Sequence, residues 1–311
     1  MEVITREEQL EAVSGWWNSD HIVKWDKQYD EWDSHTVRSL NRRLEKVLNF
    51  VDACELPAGA KVLELGYGAG QTALKIGQRG YEIHGIDISD KMRDLAQRRC
   101  EKECPDGSFH FTVGNIESRF EYKDDTFDLI VMSGVLHYLF DDDFCLKEAY
   151  RVLKPGGNLI IAQRTAYSLC MLLGLRSFLC CCLYLLGRER YELFHSFRAI
   201  LCDSKLRFVF GRFENTRFFN SKFMLKGHDF WKYKLKKKVY TNHRLKSLCK
   251  RTGFVPLKLE GAYYCASDYR KYFDFNMKVD DLLEKISQER FMHFIYHLAR
   301  ISVVLSRKPA A

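Results

Sequence analysis

The feature that most constrains this chain is a nine-residue run, Val62-Leu63-Glu64-Leu65-Gly66-Tyr67-Gly68-Ala69-Gly70. Its first half reads as a buried strand carrying one acid. Its second half places glycine at every second position, and a helical pattern follows from Gln71. Missing Cβ atoms let a backbone turn sharply and let a ligand lie against it. The next helix then offers unpaired N–H groups. A strand, a glycine turn and a helix open a βαβ unit, and the pattern repeats downstream. Strands are predicted over 61–65, 81–87, 108–113, 127–132 and 158–162. Helices are predicted over 71–79, 90–100 and 144–153, the last stopped by Lys154-Pro155-Gly156-Gly157. Such alternation predicts a doubly wound, mostly parallel sheet with helices on both faces.

Regularity stops at Gln163 and resumes near Leu245. A helix over 245–251, a strand over 255–264, a long helix over 279–299 and a strand over 301–306 close the pattern. Upstream, 38–54 is an amphipathic helix behind an aromatic-rich start containing Trp16, Trp17, Trp25, Tyr29 and Trp32. The division read from this is a helical N-terminal cap (1–57), an α/β core (58–163), an insertion (164–244) and closing elements of the core (245–311). Packing is the simpler role for Trp16 and Trp17; Tyr29 is open to a role near a lid.

Composition excludes several classes. With 46% apolar and 29% charged residues in 311, the chain is neither disordered nor a polytopic membrane protein. The polar, acidic start carries no expected secretory signal. Eleven scattered cysteines suggest free thiols in a reducing cytoplasm, with no disulfide framework and no metal site.

Three strand ends sharpen the site. Dinucleotide folds use Gly-x-Gly-x-x-Gly, whereas this turn is Gly-x-Gly-x-Gly. Glu64, two residues before the first glycine, could meet an ammonium group, which S-adenosylmethionine has and NAD lacks. Asp87, at the end of the second strand, suits two ribose hydroxyls. Asn115 and Ile116, after the third, could hold an adenine edge and face. Residues 60–162 resemble a class I S-adenosylmethionine-dependent methyltransferase, of the subgroup that includes quinone-biosynthesis enzymes. The resemblance rests on Glu64-Leu65-Gly66-Tyr67-Gly68-Ala69-Gly70, Gly85-Ile86-Asp87-Ile88-Ser89, Phe127-Asp128-Leu129-Ile130-Val131 and Leu153-Lys154-Pro155-Gly156-Gly157. It implies a seven-stranded sheet and S-adenosyl-L-methionine as cofactor. The expected cofactor-binding set is Glu64, Gly66, Tyr67, Gly68, Gly70, Asp87, Ile88, Asn115, Ile116 and Ser133. The family usually has Asp where this chain has Asn115, so an altered adenine contact is expected there.

Methyl transfer from a sulfonium needs little acid–base chemistry, since positioning supplies much of the rate. A base would stand at the exit of the fourth strand, Ser133-Gly134-Val135-Leu136-His137-Tyr138. His137 is the candidate catalytic residue; lining the pocket is its simpler role. The Asn/Asp-Pro-Pro-Tyr/Phe motif of amino-methyltransferases acting on nucleobases or glutamine is missing after this strand, which argues against a nucleic-acid substrate.

The insertion is basic and partly apolar. Residues 163–250 hold 19 Lys and Arg against 5 Asp and Glu, whereas the rest of the chain is mildly acidic. Residues 165–187 are apolar with Arg176 at their centre, and Cys180-Cys181-Cys182 lies beyond it. An Arg at mid-bilayer costs about 2.5–3.5 kcal/mol on insertion scales. Both ends must also return to one sheet, so the reading is an interfacial segment. Lys222 to Lys238, including Lys226, Lys232, Lys234, Lys236 and Lys237, is interleaved with Phe223, Phe230, Trp231 and Tyr233. Together these features suggest a peripheral protein on the cytoplasmic face of an anionic membrane, with a lipid or lipid-linked acceptor. The alternatives are a soluble acceptor with the insertion as core or dimer interface, and a cofactor-binding module without turnover. The oligomeric state is not legible.

Overall fold

The computed structural model describes residues 5–19, 22, 35–165, 219–220, 236–238, 240–264, 273–287, 299 and 301–310. Trp25, Tyr29, Trp32, residues 166–187 with Arg176 and Cys180 to Cys182, and Lys222, Lys226, Lys232 and Lys234 lie outside the described residues. So does the 288–298 part of the predicted long helix.

In chain order the elements are α1 (Arg6–Trp17), α2 (His35–Asp52), β1 (Lys61–Leu65), α3 (Gln71–Gly77), β2 (Glu82–Asp87), α4 (Asp90–Glu103), β3 (Phe109–Val113) and β4 (Phe127–Ser133). A 3-10 turn (Leu136–Tyr138) precedes α5 (Asp142–Val152) and β5 (Leu153–Arg164). Then come β6 (Phe219–Asn220), β7 (Lys236–Lys237), α6 (Asn242–Arg251), β8 (Val255–Tyr263), α7 (Phe273–Ser287) and β9 (Ile301–Arg307).

Seven strands form one sheet in the order β3-β2-β1-β4-β5-β9-β8. The first five are parallel, and β9 runs antiparallel to both β5 and β8. The central strands read as near-continuous apolar runs because both faces are covered. Leu63, Leu65, Ile130, Met132, Leu159 and Ile161 pack towards Leu146 and Val152 of α5 and Leu245 and Leu248 of α6. The alternate residues Val62, Leu129, Val131, Ile160 and Ala162 pack towards Val47, Phe50 and Val51 of α2 and Ala73 and Ile76 of α3. The predicted doubly wound sheet is therefore found. β1 pairs with β2 on one side and β4 on the other, so the strand order reverses there. Open parallel sheets bind ligands at that switch point, outside the carboxyl ends of the strands.

Beyond shifts of a few residues at helix ends, three features differ from the sequence reading, each for a physical reason. α2 belongs to the sandwich rather than to an N-terminal cap, because its apolar stripe covers one face of the sheet. Lys154-Pro155-Gly156-Gly157 does not break β5 off from Leu153. Gly156 N donates to Lys308 O at 3.0 Å, and Lys308 N to Gly157 O at 2.9 Å, so the turn is stitched to the chain after β9. α7 begins at Phe273, ahead of the predicted start at 279. Asp280 sits inside it, accepting from Arg38 (3.1 Å), Arg42 (3.0 Å) and Tyr264 N (2.9 Å), which ties α7 to α2 and β8.

Candidate functional site

The glycine turn sits at the carboxyl end of β1. Gly66, Gly68 and Gly70 all take left-handed φ values, of 73°, 52° and 80°. A Cβ on Gly66 would stand 2.6 Å from Val135 Cγ2, and one on Gly70 2.8 Å from Ala96 Cβ. Conformation and space both demand glycine at these two positions. Gly70 caps α3 with no side chain, and its own N–H closes the turn on Tyr67 O at 3.0 Å.

Asp87 ends β2 and pins this turn. Its Oδ2 accepts from Gly68 N at 2.9 Å and its Oδ1 from Ser89 N at 3.0 Å. Burial pushes its pKa up to about 6, against these backbone hydrogen bonds. Glu64 is buried more completely. Burial pushes its pKa up to about 8, offset by hydrogen bonds from Thr72 and Ala73, while Asp87 raises it and Arg43 lowers it. Its Oε2 has no partner among the described residues. Leaving a buried carboxyl oxygen without a hydrogen bond is costly.

Arg43 was missed by the sequence reading. It comes from α2 and reaches the exit of β4, where any side chain at Gly134 would run into its guanidinium. It lies close enough to lower the pKa values of both Glu64 and Tyr138. No local motif marks it, because packing of α2 across the sheet brings it there.

α1 is strapped over the strand ends. Gln9 Nε2 donates to Tyr138 O at 2.8 Å, and Ser89 Oγ to Trp17 O at 2.6 Å. Arg6 donates to Glu117 O. Trp16 is buried against Tyr138, and Trp17 meets the same ring edge-on at 5.7 Å, as packing predicts. A cleft of about 520 Å³ lies between Glu7, Leu10, Glu11 and Ser14 of α1 and Ile88, Val113, Gly114 and Asn115 of the sheet edge.

The other expected contacts are distributed unevenly. Ile88 and Asn115 line the cleft. The Asn115 carbonyl expected to meet adenine already accepts from Glu117 N at 2.8 Å. Ile116 points its side chain into the core with Phe120 and Leu136. Tyr67 does so as well: its hydroxyl donates to Thr112 O at 3.1 Å and its ring packs 4.7 Å from Phe111. Only its backbone belongs to the turn. Ser133, half-buried, closes β4. His137 is buried, its ring 4.0 Å from that of Tyr138 and its Nδ1 3.1 Å from Gln163 Nε2.

One expectation is corrected. Lys238 reads from the sequence as one of the membrane-facing lysines, yet its side chain is 1% exposed and pairs with Asp142 at 2.8 Å. It also donates to Phe140 O at 2.7 Å. The Tyr240 hydroxyl donates to the other Asp142 oxygen at 2.6 Å and lies 3.3 Å from Leu136 O. The lysine run disguised a core residue, because its partner lies 96 positions away.

A parallel sheet with this turn at its switch point and carboxylates on the first two strand ends defines a cofactor-binding α/β domain. Residues 63–161 match the protein family described as a methyltransferase domain. That match runs from β1 to β5 and includes the glycine turn and the end of β2. The chain is 32% identical over 117 residues to a ubiquinone/menaquinone biosynthesis C-methyltransferase of Vibrio vulnificus, covering 36% of this chain and 44% of that protein. It is 33% identical over 114 residues to a demethylmenaquinone methyltransferase of Tropheryma whipplei, covering 36% and 46%. The matched region thus spans under half the length of these curated relatives. Among solved structures, an S-adenosylmethionine-dependent methyltransferase from Methanosarcina mazei shares the fold, with a TM-score of 0.51 and 16% identity over 84% of this chain and 98% of that one.

Proposed function

We propose that the chain transfers a methyl group from S-adenosylmethionine to a small, lipid-like acceptor. The observation that carries this reading is Glu64 Oε2, buried beside the glycine turn at the switch point and without a partner among the described residues. A cationic ammonium fits that atom, and binding would return Glu64 to its charged form. Asp87 keeps lone pairs for ribose hydroxyls while its backbone bonds hold the turn. Ile88 and Asn115 would border the adenine. Arg43 supplies a fixed positive charge suited to a carboxylate at the same exit.

The cofactor supplies a methyl group already activated on a sulfonium. The protein's part is alignment of the acceptor and exclusion of water. α1, held by Gln9, Trp16 and Ser89, covers the strand ends and suits exclusion. Where the acceptor must lose a proton, His137 would take it on Nε2, in the tautomer whose Nδ1–H faces Gln163 Oε1 3.4 Å away.

The relatives named for quinone biosynthesis support a lipid-like acceptor, as does the basic, apolar insertion. Docking of that insertion on an anionic membrane belongs to the same reading. No helix among the described residues is long and apolar enough to cross a membrane. Lys238 is excluded from the docking charges because it is buried. The test is formation of S-adenosylhomocysteine with lipid extract, run beside vesicle flotation. Turnover with lipid extract, and flotation that rises with anionic lipid and falls with salt, are expected. Changing Lys226, Lys232 and Lys234 to Gln should weaken flotation. Turnover with an aqueous metabolite pool alone would replace the lipid acceptor by a soluble one. Tight cofactor binding without turnover on either would leave a binding module.

A further inference from the structure

At the end of the sheet opposite the cleft, β2 and β3 begin side by side. His84 and His110 are direct partners in the parallel register, so their side chains leave the same face. Their ring centroids are 4.7 Å apart, tilted by 31°. Glu82, two residues before His84, shares that face. His84 Nε2 stands 2.8 Å from Glu82 Oε1, and His110 Nε2 stands 3.8 Å from the same oxygen. One ligand atom from each of the three lies within 4.8 Å of the others.

We propose that Glu82, His84 and His110 bind a divalent transition-metal ion, zinc foremost, with water completing the shell. Tetrahedral zinc with bonds of about 2.1 Å sets its ligands ~3.4 Å apart. The observed 2.8 and 3.8 Å bracket that spacing, so small side-chain adjustments close the site. Two imidazoles and a carboxylate are a donor set zinc takes, whereas magnesium and calcium require oxygen ligands. The His84 ring is held in place by edge contacts with Tyr122 at 5.6 Å and Phe127 at 5.3 Å. Ser108 Oγ lies 3.1 Å from His110 Nε2 and would give up that bond to the ion.

The competing occupant is Lys61, whose Nζ lies 3.3 Å from Glu82 Oε1. Its side chain is 45% exposed, and such pairs are worth little, so it can swing into solvent. The ion would clamp the edge strand β3 to β2. Glu82 lies five positions before Asp87 along β2, about 17 Å at strand rise. The site therefore acts on the sheet and not on the transferred methyl, and it stands whether or not the proposed activity does.

The test uses the full chain stripped with a chelator. Zinc is titrated by calorimetry, cobalt(II) by absorbance, and magnesium serves as the control. One zinc site is expected, with no thiolate charge-transfer band from cobalt and no competition by magnesium. Loss of an outer partner to a metal ligand already costs about 10–100-fold in affinity. His110→Ala and His84→Ala should therefore each weaken zinc at least tenfold. His110 is half exposed on an edge strand, so its variant keeps the fold, to be checked by circular dichroism. Lys61→Gln should tighten binding a few-fold. Equal affinity in wild type and His110→Ala, as when the ion goes to cysteines, would overturn the proposal. So would failure to bind zinc below millimolar concentration.

Discussion

Glu64 and Asp142 are both buried carboxylates near the carboxyl edge of the sheet, and the fold treats them in opposite ways. Asp142 receives Lys238 on one oxygen and Tyr240 on the other. Although burial pushes its pKa up, the Lys238 ammonium and these hydrogen bonds hold it below the ordinary value. Glu64 has one oxygen served by its own helix start and the other by nothing described. Burial wins there, and its pKa rises to about 8. A satisfied buried charge joins elements: Asp142 ties the strand leaving the insertion to the exit of β4. An unsatisfied one carries a cost that the proposed cofactor contact would relieve.

The largest expected effect lies on the satisfied side. Asp142→Ala leaves the buried Lys238 ammonium without its counter-charge, and breaking such a pair costs ~3–5 kcal/mol of stability. Urea denaturation of the purified variant measures it. Replacing both partners, Asp142→Asn with Lys238→Met, should recover most of the loss, because no lone charge remains. A single variant as stable as wild type would mean that Lys238 escapes to solvent and that its burial is incidental.

Glu64→Gln should do the reverse. Stability is expected to hold or rise, since a strained carboxyl becomes a neutral amide. Affinity for S-adenosylmethionine should fall by about 1.5–3 kcal/mol, as for a lost charged hydrogen bond. Calorimetry reads both the affinity and the protons released when Glu64 ionises on binding; the release should vanish in the variant. Unchanged affinity would remove the ammonium from Glu64.

The two carboxylates also give stability opposite slopes in pH. A carboxyl with a raised folded pKa stabilises below its unfolded pKa, and that contribution is lost as pH rises through the folded value. For Glu64 the window runs from 4.5 to about 8, and for Asp87 from 3.8 to about 6. Asp142 is depressed, so its contribution is present above 3.8 and is lost as pH falls through its lower folded value. Without cofactor, stability should decline from about pH 5 towards pH 8 and also collapse in acid. Glu64→Gln should flatten the upper slope and leave the part below about 6 that belongs to Asp87. An identical slope in the variant would show that Glu64 is already charged in the folded protein.

Sequence and structure agree where chemistry is local. The turn from Glu64 to Gly70, the end of β2 at Asp87 and the apolar strands are each set by neighbours within a few residues. The parts that escaped are joined across the chain. Arg43 arrives only because α2 lies across the sheet. Lys238 reads as one of a run of surface cations until its partner at 142 is placed beside it. His84 and His110 face each other through strand register, which no spacing along the chain displays. Tyr67 and Ile116 sit inside binding motifs, yet their side chains face the core. A motif fixes the backbone path more tightly than it fixes each side chain's role.

The smallest effect sharpens the comparison at a third carboxylate position. Asn115 stands where the resembling family usually carries Asp, in a cleft that α1 already lines with Glu7 and Glu11. Asn115→Asp keeps the bond from Glu117 N, because either carboxylate oxygen accepts it. The free oxygen then offers the adenine amino group a charged acceptor, and charged hydrogen bonds exceed neutral ones by a factor of about two. Affinity for S-adenosylmethionine should rise a few-fold. The new charge faces Glu7 and Glu11 across an open cleft, so stability should fall by less than about 0.5 kcal/mol, as at an ordinary surface site. Salt separates the two effects. Screening beyond a Debye length of about 8–10 Å removes the repulsion, whereas the short hydrogen bond survives. At 0.5 M salt the variant should keep its gain in affinity and lose its cost in stability. An affinity gain that disappears with salt would instead be the attraction of one more negative charge for a cationic ligand, with no adenine contact at position 115.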